Sequence, residues 1–330
     1  MDLILRWLVI FLSVFAAFVP MVAYLFVIWW MDRYHRQPVW LVGSVFLWGA
    51  LGAVIIGITG SRFFAFPIAF VFGDRVSSAV GTVLIAPFVE ELAKSCILLV
   101  AMLRTESDSP ADGIVLGAAA GLGFGMTENF LYFTQVYDVS GFSAWARNVF
   151  VRTLYSAVVH CVCTATVGMA IGLARNTNTH QRLRIAAGGI FTAMGIHAFW
   201  NASMILGPKL RSPLLVNAAF TLMPLLVILL LIAYQYFLYR EGKWIRSELQ
   251  EEAMEGTISP SLVGSLVSPW NQLQKRDPEA TRYINAVMKL AVKRRQWKRS
   301  SGLKKERLAL ALAELRQALK RMRSPFEQVS

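Results

Sequence analysis

Charge is scarce in this chain: 16% of its 330 residues are Asp, Glu, Lys or Arg, against 56% hydrophobic. That balance excludes an ordinary water-soluble globule. Acids are the scarcer sign, 20 against 33 bases, which leaves a formal net charge of +13. Cysteine is almost absent. Cys96, Cys161 and Cys163 form no disulfide framework and no paired C-x-x-C, so they are read as small packing residues. Four histidines occur, and none sits in an H-E-x-x-H pair, which removes the local signature of a zincin. No serine adjoins a base as a nucleophile must; Ser95 and Ser156 are near the candidates described below only in sequence. An internal repeat or inverted pair of halves, as many transporters carry, is also missing.

What is present is a set of long apolar runs. A hydrocarbon core of ~30 Å takes about 20 apolar helical residues to cross, and seven runs qualify: 7–30, 39–58, 78–100, 113–133, 149–173, 185–206 and 214–239. The first is too long for a signal-peptide core and ends in Trp29 and Trp30, which suit a membrane interface. Residues 63–73 are apolar but short and contain Pro67, so they are expected to be re-entrant or interfacial; an eighth crossing is the other option. The expected fold is an all-α, polytopic transmembrane bundle at 1–239 with a basic helical extension at 240–330.

Orientation follows Lys and Arg. Arg33, Arg36, Arg104, Arg175, Arg182 and Arg184 on one side balance Arg62, Arg75, Arg147, Arg152, Lys209 and Arg211 on the other. The tail breaks the tie, with 19 bases against 10 acids from Arg240 onward. It is expected to stay in the cytoplasm, with the N-terminus outside. Within it, 256–272 holds Ser259-Pro260, Gly264-Ser265 and Ser268-Pro269 and reads as a linker. Asp277-Pro278-Glu279 starts one helix. Leu308, Leu312, Leu315, Leu319 and Met322 stripe a second, at 304–323. Lys289, Lys293, Arg294, Arg295, Lys298 and Arg299 are expected to meet anionic lipid headgroups; nucleic-acid binding is the weaker reading of the same charge.

Ionisable residues at membrane depth cost about 2.5–3.5 kcal/mol each unless paired or hydrated, yet four runs contain them. Glu90, Glu91 and Lys94 lie in the third, Glu128 in the fourth, His160 in the fifth and His197 in the sixth, with Asn201 one turn after His197. They are expected to converge. At helical spacing Lys94 reaches the face of Glu90 and Glu91, so one carboxylate is neutralised and the other is free to act as a base. Pro87 within the same run removes a backbone donor. Gly117, Gly121 and Gly125 recur every four residues before Glu128 and admit a close helix. His160, His197 and Asn201 are suitable donors to an oxyanion. His35 and His180 lie in loops and are assigned nothing.

Glu90-Glu91-x-x-Lys94, Gly125-Met126-Thr127-Glu128-Asn129, His160 in a small-residue helix and His197-x-x-x-Asn201 together resemble the PrsW family of intramembrane proteases. They are more distantly similar to the CAAX prenyl protease and bacteriocin-processing superfamily. The resemblance covers roughly residues 80–205. It implies that Glu90 or Glu91 activates the attacking water while His160, His197 and Asn201 bind or protonate the intermediate. It further implies a membrane-anchored protein or peptide substrate of the anti-sigma-factor kind, and a bacterial cytoplasmic membrane. No cofactor is expected in that reading. Three alternatives stay open: zinc held by two histidines and a glutamate from separate helices, a proton- or cation-coupled transporter, and a membrane scaffold whose tail binds a partner.

Overall fold

The computed structural model describes residues 2–32, 34, 36–104, 109–175, 177–267 and 278–322, and no strand occurs among them. They divide into two compact units, one of residues 1–31 and 37–234, the other of 32–36 and 235–330.

The first unit is a helical bundle. Helix α1 is Asp2–Met31, α2 is Val39–Phe72, and α3 runs over 74–104. Then come α4, Pro110–Val151, α5, Ala157–Ala174, and α6, Thr179–Lys209. Helix α7, Pro213–Met254, begins in this unit and ends in the second. All seven apolar runs are helical.

Among the described residues, five stretches are long and apolar enough to cross a membrane: Leu3–Met31, Val39–Phe72, Pro110–Ala174, Thr179–Lys209 and Pro213–Met254. The third, at 65 residues, is roughly 98 Å of helix at 1.5 Å per residue, three times the hydrocarbon thickness. Its chain breaks at Gly141, whose φ of 75° lies in the left-handed region open to glycine. Helix α3, which carries Glu90, Glu91 and Lys94, is not among the five.

Residues 63–72, expected to be re-entrant or interfacial, complete α2 without a break, past Pro67. Gly73, at φ 81°, ends the helix, and Ser77 Oγ donates back to the Ala65 carbonyl at 2.9 Å, folding 74–80 against it. The segment is apolar on every side, and the loss of the one donor that proline removes does not end the helix.

Helix α4 owes its central place to glycine. A Cβ at Gly113, Gly117 or Gly121 would run into the α5 backbone at Gly168, Thr164 or His160, and one at Gly123 into the α2 backbone at Phe46. Backbones thus approach on two faces, and residues 111–125 are all buried.

The second unit also has a core. Helices α8 (Pro260–Val267), α9 (Pro278–Lys298) and α10 (Gly302–Arg321) follow the end of α7. Ile245, Leu249, Leu262, Leu266, Val287, Leu290, Leu312 and Leu319 pack together, with Leu315 partly buried beside them. Part of the expected linker is therefore folded: Ile258, Leu262, Val263 and Leu266 recur at a helical spacing that outweighs the Ser and Gly among them. Asp277 lies outside the described residues. Arg294 and Lys298, expected to meet lipid headgroups, are both paired with acids of the same unit. Arg294 bonds Glu251, Glu252 and Glu255, and Lys298 pairs with Glu248 and Glu251 at 2.8 and 2.7 Å.

Candidate active site

The polar residues of four runs converge inside the first unit, where an unpaired charge would be most costly. Glu91 and Lys94 are fully buried, and His160 and His197 nearly so, at 3% and 2% exposure. Lys94 Nζ lies 2.7 Å from Glu91 Oε1 and 3.9 Å from Glu90 Oε2. The same ammonium sits 3.1 Å from His160 Nδ1 and over the Phe124 ring, 4.1 Å from its centroid.

An ammonium can only donate, so His160 Nδ1 accepts and its Nε2 carries the proton. That Nε2 meets Glu128 Oε2 at 2.6 Å. On the other side, His197 Nδ1 lies 2.9 Å from Glu91 Oε1 and donates to this carboxylate, leaving the Nε2 lone pair free. Nε2 stands 3.8 Å from Glu90 Oε2, and the two imidazole rings meet edge to face at 4.8 Å. Glu90 Oε2 is buried without a hydrogen-bond partner.

Arg152, counted in the sequence only as a charge near a span end, belongs to this cluster. Its NH2 reaches Glu128 Oε2 at 2.7 Å and its Nε the Asn129 Oδ1 at 3.0 Å, and it stacks on Tyr132. Its place in a membrane-depth run was the available signal. Thr164, also missed, approaches Glu91 Oε2 at 3.4 Å. Asn201 is not gathered with the carboxylates: its Nδ2 donates to the Thr82 carbonyl at 2.9 Å.

Wide, π-helical turns bring these groups into place: Trp48–Ala53 in α2, Gly81–Ile85 in α3 and Arg152–Ser156 ahead of α5. Such turns gather at functional sites because each rotates the residues after it. Thr127, next to Glu128, donates its hydroxyl to Ala50 of the first at 2.8 Å. On the α2 side a Cβ at Gly57 would stand 3.1 Å from Glu90 Cγ, so a glycine there leaves the carboxylate its room.

Glu90, His160 and His197 each offer one ligand atom, all within 4.8 Å of one another. Two imidazoles and a carboxylate are a donor set of catalytic zinc. The unpartnered Glu90 oxygen and the His197 Nδ1 bond to Glu91, which orients the ring as a carboxylate does behind a zinc ligand, fit such an ion. His160 would exchange its bond to Glu128 for it.

The pattern of the family described as PrsW family intramembrane metalloprotease matches residues 37–233, and that match falls within the first unit. A protein named Protease PrsW from Shouchella clausii (strain KSM-K16) is 30% identical over 178 residues, 54% of this chain and 76% of its own length. No solved structure matches. With more than half of its length matched, this chain, a multi-pass membrane peptidase, belongs to the PrsW family.

Proposed function

We propose that the chain hydrolyses a peptide bond of a membrane-anchored protein with a water activated by Glu90. The observation that carries this reading is Glu90 Oε2, a buried acceptor without a partner facing the open lone pair of His197 Nε2. Their 3.8 Å separation is too long for a direct hydrogen bond, and a water accepted between them meets both. Glu91 is occupied by Lys94 and His197, so of the two adjacent carboxylates Glu90 is the one with capacity for a new proton.

In the reaction so derived, Glu90 takes the proton of the attacking water and returns it to the leaving nitrogen. Glu128, held by Arg152, keeps the His160 Nε2–H in place at 2.6 Å, and that N–H exchanges its bond to Glu128 for one to the developing oxyanion. Lys94 and Glu91 keep His160 and His197 in the tautomers these roles need.

A metal ion is the second reading, favoured by the donor set of Glu90, His160 and His197. Bound there, it would supply Lewis-acid polarisation of the carbonyl and the water. Glu128 is then the carboxylate available as base.

The resemblance supports a membrane-anchored regulator of the anti-sigma-factor kind as substrate. The basic tail supports a cytoplasmic membrane location with the C-terminus inside, where Lys289, Lys293, Arg295 and Arg299 meet anionic headgroups. The test is cleavage of a single-pass reporter by the purified chain in liposomes. Cleavage abolished by Glu90→Gln and indifferent to a zinc chelator supports the glutamate reading. Loss on chelation with recovery on added zinc supports the metal. Full activity of Glu90→Gln would overturn both.

A further inference from the structure

We infer that Asn201 is a positioning residue: its side-chain amide replaces the backbone donor that Pro87 lacks and so sets the helix bearing Glu90 and Glu91. In the wide turn of α3, the Ala86 N–H bonds the Gly81 carbonyl, five residues back. The next donor in that register belongs to residue 87, a proline without N–H. The Thr82 carbonyl is therefore left open, and Asn201 Nδ2 donates to it at 2.9 Å.

Inside a bilayer no water is at hand to satisfy such a carbonyl, so a side chain must. Asn201 follows His197 by one turn of α6, and Pro87 precedes Glu90 by three residues. A single amide thus ties α3 to α6 one turn from where Glu91 meets His197 at 2.9 Å. Without it, α3 can shift against α6, and Glu90 leaves its place before His197 Nε2. The inference rests on the Glu90 cluster being the active site, and it assigns Asn201 a different role from that of an oxyanion donor.

The test pairs Asn201→Ala with Pro87→Ala, which restores the missing N–H. Asn201→Ala is expected to lower kcat about 10- to 100-fold, as a misplacement near 1 Å does. Pro87→Ala/Asn201→Ala is expected to regain most of the kcat of Pro87→Ala alone. A double variant no better than Asn201→Ala would overturn the inference, since an oxyanion donor cannot be replaced by a remote backbone N–H.

A second measurement needs no activity. In a Glu90→Gln background, Asn201→Ala is expected to lower the unfolding temperature in detergent, and adding Pro87→Ala to restore it. An unchanged unfolding temperature would overturn the inference even if Pro87→Ala proved inactive. Persistent cleavage by Glu90→Gln would instead fault the assignment of the active site, and the unfolding result would still decide the part played by Asn201.

Discussion

Glu91 receives the Lys94 ammonium at 2.7 Å with both side chains fully buried, while Glu90, the next residue, is 3.9 Å from the same nitrogen. The two adjacent carboxylates should therefore fail differently. Glu91→Gln leaves a buried ammonium without its countercharge, a change that costs about 3–5 kcal/mol. Its unfolding temperature in detergent should fall along with cleavage. Glu90→Gln should keep an unfolding temperature near wild type and lose cleavage by a factor on the order of 10³. Equal unfolding temperatures in the two variants would refute this division of labour.

Arg152 bonds Glu128 and Asn129 at once. Arg152→Ala should reduce cleavage by about tenfold or more, because Glu128 loses the partner that fixes its carboxylate toward His160. Arg152→Lys keeps the charge and gives up the fork, so its activity should fall between the two. If lysine and alanine are equally poor the fork is essential; if alanine matches wild type, Arg152 has no part in the reaction.

Gly121 faces the carbonyl of His160, and a backbone cannot give way as a side-chain tip does. Gly121→Ala should destabilise the bundle by about 1–3 kcal/mol and lower cleavage by moving His160. Gly188 has open space around it, so Gly188→Ala serves as the control. Similar melting of both variants would show that close packing of α4 on α5 is not needed.

In the second unit, hydrogen bonding from Arg294 holds the Glu255 carboxyl below its ordinary value of 4.5. A folded value that is lowered means stability present above the unfolded value and lost as pH falls through the folded one. Amide exchange in α9 and α10 should therefore accelerate as pH drops from about 6 to about 3, after correction for intrinsic rates. The effect is modest because Glu255 is 45% exposed. In Glu255→Gln this part of the acid dependence should be missing, and an unaltered profile would dismiss the linkage.

The excess of bases in the tail predicts that reporter fusions place Ser330 in the cytoplasm and residue 2 outside. A tail found outside would reverse the proposed orientation of the bundle.

Much of the site was legible because charge in an apolar run is conspicuous: Glu90, Glu91, Lys94, Glu128, His160 and His197 all come together. The direction of Asn201 was not legible. Spacing places it on the face of His197, but only the wide turn at Gly81–Ile85 and the missing donor of Pro87 explain why it turns to Thr82. Arg152 was hidden by its position, since an arginine near a run's end reads first as a topology signal. The packing of Gly117 and Gly121 was expected from a four-residue repeat. The continuation of α2 through Pro67 and the fold of 258–266 were not: the first runs past a local breaker with its aromatic side chains exposed, and the second depends on apolar contacts with residues distant in sequence.

The wide turn in α3 also makes the enzyme sensitive to chain length in a way that composition would never reveal. An α-helix advances about 100° per residue, so removing one residue from 81–85 leaves a helix just as apolar and nearly as long. Glu90, Glu91 and Lys94 would nevertheless point about a quarter-turn away from His160 and His197. At this place the protein should accept many exchanges of one apolar letter for another and no change in their number, so that the frame of the proposed site is written in the count of residues as much as in their identity.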